Sequence, residues 1–157
     1  EESGRARRGY FTAGLGATQF ALPGAEDRLR DARNPDPEGP LTVLLAATDP
    51  AQPYGASLPW PPTDGRPSRA AGALVVLVDG EAAAYVEKGG RSLLTFPAAI
   101  VDGRWPEALA AVVRTGRRRS FELAKIDGAP ARESTHADAL RGAGFVDGYK
   151  GLVLRTR

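Results

Sequence analysis

The chain has 157 residues, of which 42% are hydrophobic and 25% are charged, a composition typical of one ordinary globular domain. The formal net charge of +2 excludes the strongly basic character of an obligate nucleic-acid-binding domain, and the absence of cysteine excludes disulfide bonds and thiolate metal sites. No apolar run has the ~20 residues that a membrane helix needs and no secretory signal is present, so we expect a cytoplasmic protein without membrane contact. Because methionine is also absent, we interpret the sequence as a piece of a longer polypeptide.

The N-terminal part of the chain is predicted to contain a connector, a hairpin and a short helix. Residues 1–8 are polar and are expected to connect to a preceding domain. Gly9–Ala13 and Ala17–Leu22 are short β-like runs on either side of a glycine-rich corner, which predicts a hairpin. In Ala25–Ala32 two acids precede the arginines, the charge order that a helix dipole favours, so a short surface helix is predicted. Leu41–Ala47 is a candidate buried strand.

The strongest strand signal lies in Ala73–Phe96. Its apolar runs are separated by Asp79-Gly80 and Gly89-Gly90, dipeptides that tolerate positive φ in a tight turn, which predicts an antiparallel three-stranded meander. Leu74–Val78 contains no polar residue, and this indicates burial on both faces of the sheet. The proline-rich segment 48–62 cannot be a central strand.

The C-terminal third is predicted to contain helices and strands. Pro106–Thr115 has an apolar face and a proline in its first turn, and Arg132–Ala143 begins with capping hydroxyls and ends at a glycine, so both are predicted helices. Ser120–Asp127 and Leu152–Leu154 are predicted strands. The sequence thus predicts an α+β fold in which residues 9–157 form a single domain. That domain is expected to be a mainly antiparallel β-barrel, or a strongly curled sheet, of about seven to nine strands with about three peripheral helices.

Several parts of the sequence together resemble one known family. They are RRGYFTAGLGATQFALPGAEDRLR (Arg7–Arg30), TDPAQPYGASLPWP (Thr48–Pro61), ALVVLVDGEAAAYVEKGGRSLLTF (Ala73–Phe96) and the terminal L-x-x-A-G-F…G-L-x-L-R of Leu140–Phe145 and Gly151–Arg155. In this order they resemble the extreme C-terminal region of the Lhr family, the large helicase-related bacterial proteins of helicase superfamily 2.

The resemblance implies a part of an ATP-dependent DNA helicase that moves 3′ to 5′, is activated by single-stranded DNA and takes part in DNA repair. It also implies a motor elsewhere in the parent, with ATP and Mg as its cofactors, and a terminal barrel similar to that of some DNA glycosylases. The sequence contains neither G-x-x-x-x-G-K-[ST] nor D-E-x-H, and Gly14 and Gly16 are better explained by a β corner than by a phosphate loop. We therefore expect no cofactor in this fragment and no catalysis by it alone, while its status as an enzyme stays open.

Few residues have the pattern of a catalytic or metal site. His136 is the only histidine, so neither a metal centre nor a Ser-His-Asp arrangement is indicated. Base excision needs an acid, or an amide that orients water, beside the sugar of a flipped nucleotide. The polar residues at predicted loops or strand ends that suit this role are Gln19, Asp49, Asp102 and Asp147. Each also has a structural explanation as a cap, a turn residue or a strand amide, so no catalytic or metal-ligating residue is assigned.

Residues suited to nucleic-acid contact are more frequent. Arginine clamps phosphates, and aromatic rings stack on unpaired bases. The candidate nucleic-acid-binding residues are Arg7, Arg8, Tyr54, Trp60, Lys88, Arg91, Arg117, Arg118 and Arg119. The structural alternatives are a solvated helix end for the Arg117–Arg119 run and a cover over an open barrel end for the two aromatic residues.

We interpret the chain as a C-terminal accessory domain of a DNA-repair helicase that contributes DNA binding or domain docking. Its expected partners are single-stranded or forked DNA and the winged-helix and motor domains of the parent. The first alternative is part of a glycosylase-type base-excision site. The second is a structural module that forms homo-oligomers, which the near-neutral net charge favours.

Overall fold

The computed structural model describes residues 6–14, 16–34 and 41–156. The chain forms two compact units, residues 1–40 and 41–157, and each is described by itself. The boundary between the two units lies after Pro40. The sequence analysis expects one domain over residues 9–157. Most of the predicted connector 1–8 lies outside the described residues. Within the part of the chain that the structure describes, no helix combines the length and the apolar character needed to cross a membrane.

The N-terminal unit contains a hairpin followed by a short helix. Its elements are the antiparallel strands β1 (Arg7–Gly9) and β2 (Gln19–Ala21) and the helix α1 (Ala25–Asp31). The side chain of Gln19 closes the loop: its Oε1 accepts hydrogen bonds from the N–H groups of Phe11 and Thr12 at 2.9 and 2.8 Å, and its Nε2 donates to the Thr12 carbonyl at 2.8 Å. The hairpin and the helix are confirmed, but β1 overlaps the predicted run Gly9–Ala13 only at Gly9 and begins within the predicted connector, at Arg7. At Phe11 and Thr12 the Gln19 amide takes the place of ladder hydrogen bonds.

The C-terminal unit is built from two sheets and several short helices. In chain order its strands are β3 (Thr42–Ala46), β4 (Leu74–Val78), β5 (Glu81–Val86), β6 (Ser92–Thr95), β7 (Ser120–Leu123), β8 (Lys125–Ile126), β9 (Ala129–Pro130), β10 (Val146–Gly148) and β11 (Gly151–Arg155). Its helices are α2 (Ala98–Val101), α3 (Trp105–Arg114), a 3-10 helix at Ala131–Glu133, and α4 (Ala137–Gly142). The strand order is β3-β4-β5-β6-β8-β9 in the six-stranded sheet and β10-β11-β7 in the three-stranded sheet. Neighbouring strands are antiparallel except β6 and β8.

The predicted meander is confirmed as strands β4, β5 and β6. Asp79 and Gly80 in the first turn have φ values of 49° and 83°, and Gly89 and Gly90 in the second have 93° and 73°. These are the left-handed conformations for which Asp-Gly and Gly-Gly dipeptides are suited. Local turn chemistry therefore sets the register of this part of the sheet.

Strand β4 is buried on both faces, as its apolar sequence predicts. On one face Val76 belongs to a core that includes Trp105 of α3 and Phe121 of the three-stranded sheet. On the other face Val75 belongs to a second core, against which Trp60 of the proline-rich segment packs. The sheet is thus a central layer with separate covers on its two sides.

The predicted barrel is wrong. The six-stranded sheet stays open, with β3 and β9 as its edges, because β6 pairs with the parallel strand β8 instead of closing onto β3. A sheet covered on both sides gives the same continuous apolar pattern as the wall of a barrel, so the pattern in β4 does not distinguish them. The described residues form a small α+β fold with eleven strands in three sheets, none of them closed, and four α-helices. The sequence predicts instead a single barrel, with about seven to nine strands and about three helices.

Helix α3 confirms the predicted helix Pro106–Thr115, but the predicted helix Arg132–Ala143 is interrupted. Ser134 has an extended backbone with φ −66° and ψ 146°, and its Oγ accepts a hydrogen bond from the His136 N–H at 3.2 Å. A serine side chain that bonds its own local backbone competes with helix formation. The segment therefore divides into the 3-10 helix and α4.

Candidate nucleic-acid interface

Three loops of the C-terminal unit line one polar groove of about 430 Å³. They are the β5–β6 turn, the segment that leads from α3 into β7, and the β10–β11 turn. The groove, called the basic groove below, is lined by Gly89, Arg91, Arg118, Ser120, Glu122, Tyr149 and Lys150. It brings together two of the predicted binding residues, Arg91 and Arg118, with Tyr149 and Lys150, which sequence reasoning did not single out.

Arg118 is the most firmly positioned cation of the basic groove. Its guanidinium carbon lies 4.4 Å from the centroid of the Phe121 ring, and its Nε donates to the Ser120 carbonyl at 2.9 Å. A Cβ at Gly90 would overlap this guanidinium, so the glycine turn leaves the space that it occupies. Because Arg118 has few conformations left to lose, it can bind an anion at a low cost in side-chain entropy.

Arg91 and Glu122 both line the basic groove and lie close to each other. The Arg91 guanidinium is 3.5 Å from the Glu122 carboxylate, and both side chains are partly exposed. The carbonyl of Arg91 accepts hydrogen bonds from the N–H groups of Ala124 and Lys125 at 2.8 and 3.1 Å, which ties the β5–β6 turn to the end of β7. With Arg118 and Lys150 the groove has an excess of positive charge over the single carboxylate.

The β10–β11 turn presents Tyr149 and Lys150 to solvent. Gly148 and Gly151 face each other across the turn, and Tyr149 is 94% exposed. The approach to the turn is fixed by Arg141, which donates hydrogen bonds to Asp147 at 3.0 Å and to Asp138 at 2.7 Å. An exposed tyrosine beside cations is the combination that stacks on bases and clamps a backbone.

A second groove adjoins the first. This apolar groove of about 880 Å³ is lined mainly by apolar residues: Val113, Arg114, Glu122, Ala143, Gly144, Val146, Gly148, Tyr149, Val153, Leu154, Arg155 and Thr156. Glu122 and Tyr149 belong to both grooves. Val146 is 62% exposed although it is aliphatic.

The other predicted cations lie outside the basic groove. Lys88 is exposed on the same β5–β6 turn, and Arg119 is exposed next to Arg118. Arg117 lines a different shallow groove between β3 and α3. Arg7 and Arg8 are exposed in the N-terminal unit, where Arg7 lies 3.8 Å from Glu26. Nucleic-acid contact by these residues stays a prediction.

Tyr54 and Trp60 pack on the sheet. Their rings are 5.9 Å apart at 25°, and Trp60 also stacks on Phe96 at 5.9 Å and meets Tyr85 edge-on at 5.6 Å. The Tyr54 hydroxyl donates to the Gly80 carbonyl at 3.1 Å. Both rings therefore have partners within the protein that account for their position, on the face of an open sheet and not at the barrel end that the structural alternative assumed. Nucleic-acid contact by these two residues stays a prediction.

The polar residues considered for base excision are engaged locally. Asp49 accepts a hydrogen bond from the Ala51 N–H, and Gln19 closes the hairpin loop as described above. The hydrogen bond from the Arg104 guanidinium lowers the pKa of Asp102 below its usual value. Asp147 pairs with Arg141.

Metal chemistry has no support in the described residues. His136 packs edge-on against the Trp105 ring at 5.5 Å, which agrees with a structural role. In the described part of the chain no group of three or more His, Cys, Asp or Glu side chains could hold a metal ion.

Comparisons with known proteins place the chain in a family. Residues 1–41 match the family model described as "Large helicase-related protein, winged-helix domain". A Mycolicibacterium smegmatis protein named "Lhr helicase/ probable uracil glycosylase" is 47% identical over 169 residues, covering 99% of this chain and 11% of the relative. An Escherichia coli K12 protein named "Lhr helicase/uracil glycosylase" is 37% identical over 158 residues, covering 97% of this chain and 10% of the relative. The chain thus spans about a tenth of the length of these curated relatives. It belongs to the Lhr family of large helicase-related proteins and corresponds to their C-terminal region.

Proposed function

We propose that this chain is a DNA-binding accessory region of a helicase that takes part in DNA repair, and that it supplies strand contacts and domain docking. The names of the two relatives and the match to a helicase-related winged-helix domain support this assignment. The motor, with its ATP and Mg, is assigned to other parts of the parent, because the sequence lacks the phosphate-loop motif.

The basic groove is the observation that carries the proposal. Arg91, Arg118 and Lys150 come from segments far apart in sequence, yet they line one groove beside the exposed ring of Tyr149. Cations in such a groove follow a phosphate backbone, and the aromatic ring stacks on a base without regard to sequence. The small net charge of the chain does not oppose this, because binding depends on the local concentration of cations.

A salt titration tests the proposal. Each phosphate that a cation neutralises on a single strand contributes about 0.7 to the slope of log affinity against log salt, so contacts by these cations predict a slope of about −2 for the 157-residue chain. The measurement is fluorescence anisotropy of a labelled single-stranded oligonucleotide between about 50 and 200 mM salt. Absence of binding, or a slope near zero, would refute DNA binding by this groove.

Domain docking is assigned to the N-terminal unit. Tyr10, Phe20, Leu22 and Leu29 are exposed, and α1 has no buried residue. A two-stranded hairpin with one short helix is marginal by itself in water. Because residues 1–41 match a winged-helix domain, we propose that further residues of such a domain cover this apolar face.

Base excision is the second candidate function. Glu122 lies where the two grooves meet, and the names of both relatives include a uracil glycosylase. In this role its carboxylate would accept a proton from a water that attacks C1′ of the sugar, while the base leaves with the electrons of the glycosidic bond. The residues that the sequence suggested for this role do not line either groove; they are Gln19, Asp49, Asp102 and Asp147.

Incubation of the chain with a uracil-containing single strand, followed by alkaline cleavage, tests this second candidate. We expect the chain to release uracil, so that the strand is cleaved at that position. The substitution Glu122→Gln should reduce the rate of this reaction by at least about 100-fold, the usual contribution of a positioned acid or base. A strand with thymine in place of uracil is the control. No cleavage by the chain, or cleavage that Glu122→Gln leaves unchanged, would reject base excision by this chain with Glu122 as its base.

A further inference from the structure

We infer that the apolar groove holds one unpaired nucleobase, stacked on Tyr149, of a strand whose phosphates lie along the basic groove. This inference deepens the proposed DNA binding and rests on it. It assigns a base-binding site to residues of the β10–β11 turn and of the adjoining three-stranded sheet.

The exposure of Tyr149 is the first argument. The ring is 94% exposed on a two-residue turn between paired glycines, so it contributes little to the core of the unit. Tyrosine supplies a large flat contact area at a low cost in side-chain entropy. A ring held in solvent by an ordered turn is well placed to stack on a ligand.

The arrangement of the two grooves is the second argument. Arg91, Arg118 and Lys150 line the basic groove, and Tyr149 lines both grooves. The apolar groove is lined mainly by aliphatic side chains such as Val146 and Val153, with Arg114 and Arg155 as its cations. A nucleotide has the same division, with a charged phosphate at one end and a flat, largely apolar base at the other. The apolar groove, at about 880 Å³, has room for a base with its sugar.

Glu122 orients the ligand. Its carboxylate lies at the junction of the grooves and is held by Arg91 at 3.5 Å. A carboxylate repels phosphate but accepts hydrogen bonds from the amino or imino groups of a base. It therefore favours the base, rather than the backbone, at the junction.

A paired duplex does not fit this arrangement, because its bases are stacked on each other and are not free to leave the helix without an energetic cost. An apolar peptide would use the same groove without any need for the neighbouring cations. The charge next to the groove thus favours a nucleic-acid strand over a peptide as the occupant.

Two oligonucleotides of equal length distinguish base stacking from backbone binding. One is a natural single strand, and the other has a tetrahydrofuran abasic residue at every position. We expect Tyr149→Ala to weaken binding of the natural strand by about 5- to 150-fold and to leave binding of the abasic strand unchanged. Tyr149→Phe, which keeps the ring, should bind the natural strand as the unsubstituted chain does.

The outcomes separate the two proposals. If the natural strand binds with the predicted salt dependence but Tyr149→Ala has no effect, or weakens both strands equally, the base site is refuted and the basic groove stands. If neither strand binds the unsubstituted chain, both proposals fail together. Because Tyr149 is exposed, its replacement should leave the thermal unfolding temperature unchanged, and this is checked in the same samples.

Discussion

Replacing Arg91, Arg118 and Lys150 together with alanine is expected to abolish most of the salt dependence of single-strand binding. Three phosphate contacts account for a loss of affinity of about twentyfold between 50 and 200 mM salt, and this loss should disappear in the triple variant. The physical reason is that no condensed cations are released when no phosphate is neutralised. The measurement is the same anisotropy titration on the variant chain.

Two controls make this result specific. The variant with Arg91→Lys, Arg118→Lys and Lys150→Arg keeps every charge and should keep the slope, although Lys at position 118 loses the contact with the Phe121 ring. Arg66→Ala removes an exposed cation that does not line the groove, and it should also keep the slope. A triple alanine variant with an unchanged slope would remove the basic groove from the interface.

Gly151→Ala is expected to destabilise the C-terminal unit by about 3 kcal/mol. A Cβ at this position would overlap the Leu123 carbonyl oxygen and press on the Ala124 backbone, both of which are backbone atoms that side-chain rotation cannot move. The φ of Gly151, 154°, adds to the strain of any L side chain. Strands β11 and β7 must separate to admit the methyl group, which disturbs the pairing of Leu152 with Leu123.

Urea unfolding of the chain measures this effect. Gly142→Ala is the matched control, because a Cβ there meets no atom within 4 Å and the residue lies in α4, where alanine is the better helix former. The control should be neutral or stabilising by up to about 1 kcal/mol. Equal stability of the Gly151→Ala and unsubstituted chains would contradict the close approach of β11 to β7.

The turns were predictable because their signal is local. Asp79-Gly80 and Gly89-Gly90 need a positive φ at both positions, and few residue pairs other than these tolerate it. The turns also identified the meander, and the apolar run of β4 predicted its burial, which the structure shows for Val75–Val78. The open form of the sheet was not predictable in this way, because the parallel pairing of β6 with β8 joins segments about thirty residues apart without a turn signal of its own.

The candidate site was predictable in part. Arg91 stands out in the sequence because it flanks a glycine turn, and Arg118 stands out because it belongs to a run of arginines. Nothing local distinguishes Arg118 from Arg117, yet the first lines the basic groove and the second lines a groove between β3 and α3. Both residues lie in the bend that precedes β7, so the groove that each one lines depends on the tertiary contacts of that bend.

Tyr149 and Lys150 were missed for a related reason. A tyrosine and a lysine between two glycines have the appearance of an ordinary exposed turn. They reach Arg118 only because β11 pairs with β7, which places Gly151 against Leu123. A large aromatic residue at the tip of a glycine-flanked turn is the signal that sequence reasoning could have used.

Photochemical cross-linking identifies the segments of the chain that contact a single strand. The chain is irradiated with a single-stranded oligonucleotide that contains 4-thiothymidine, and the cross-linked peptides are identified by mass spectrometry. Cross-links are expected in the segment of Lys88–Arg91 and in the turn of Tyr149 and Lys150, and they should be lost when excess unlabelled strand is added. Cross-links confined to other segments, such as the hairpin of the N-terminal unit, would contradict strand binding by the basic groove.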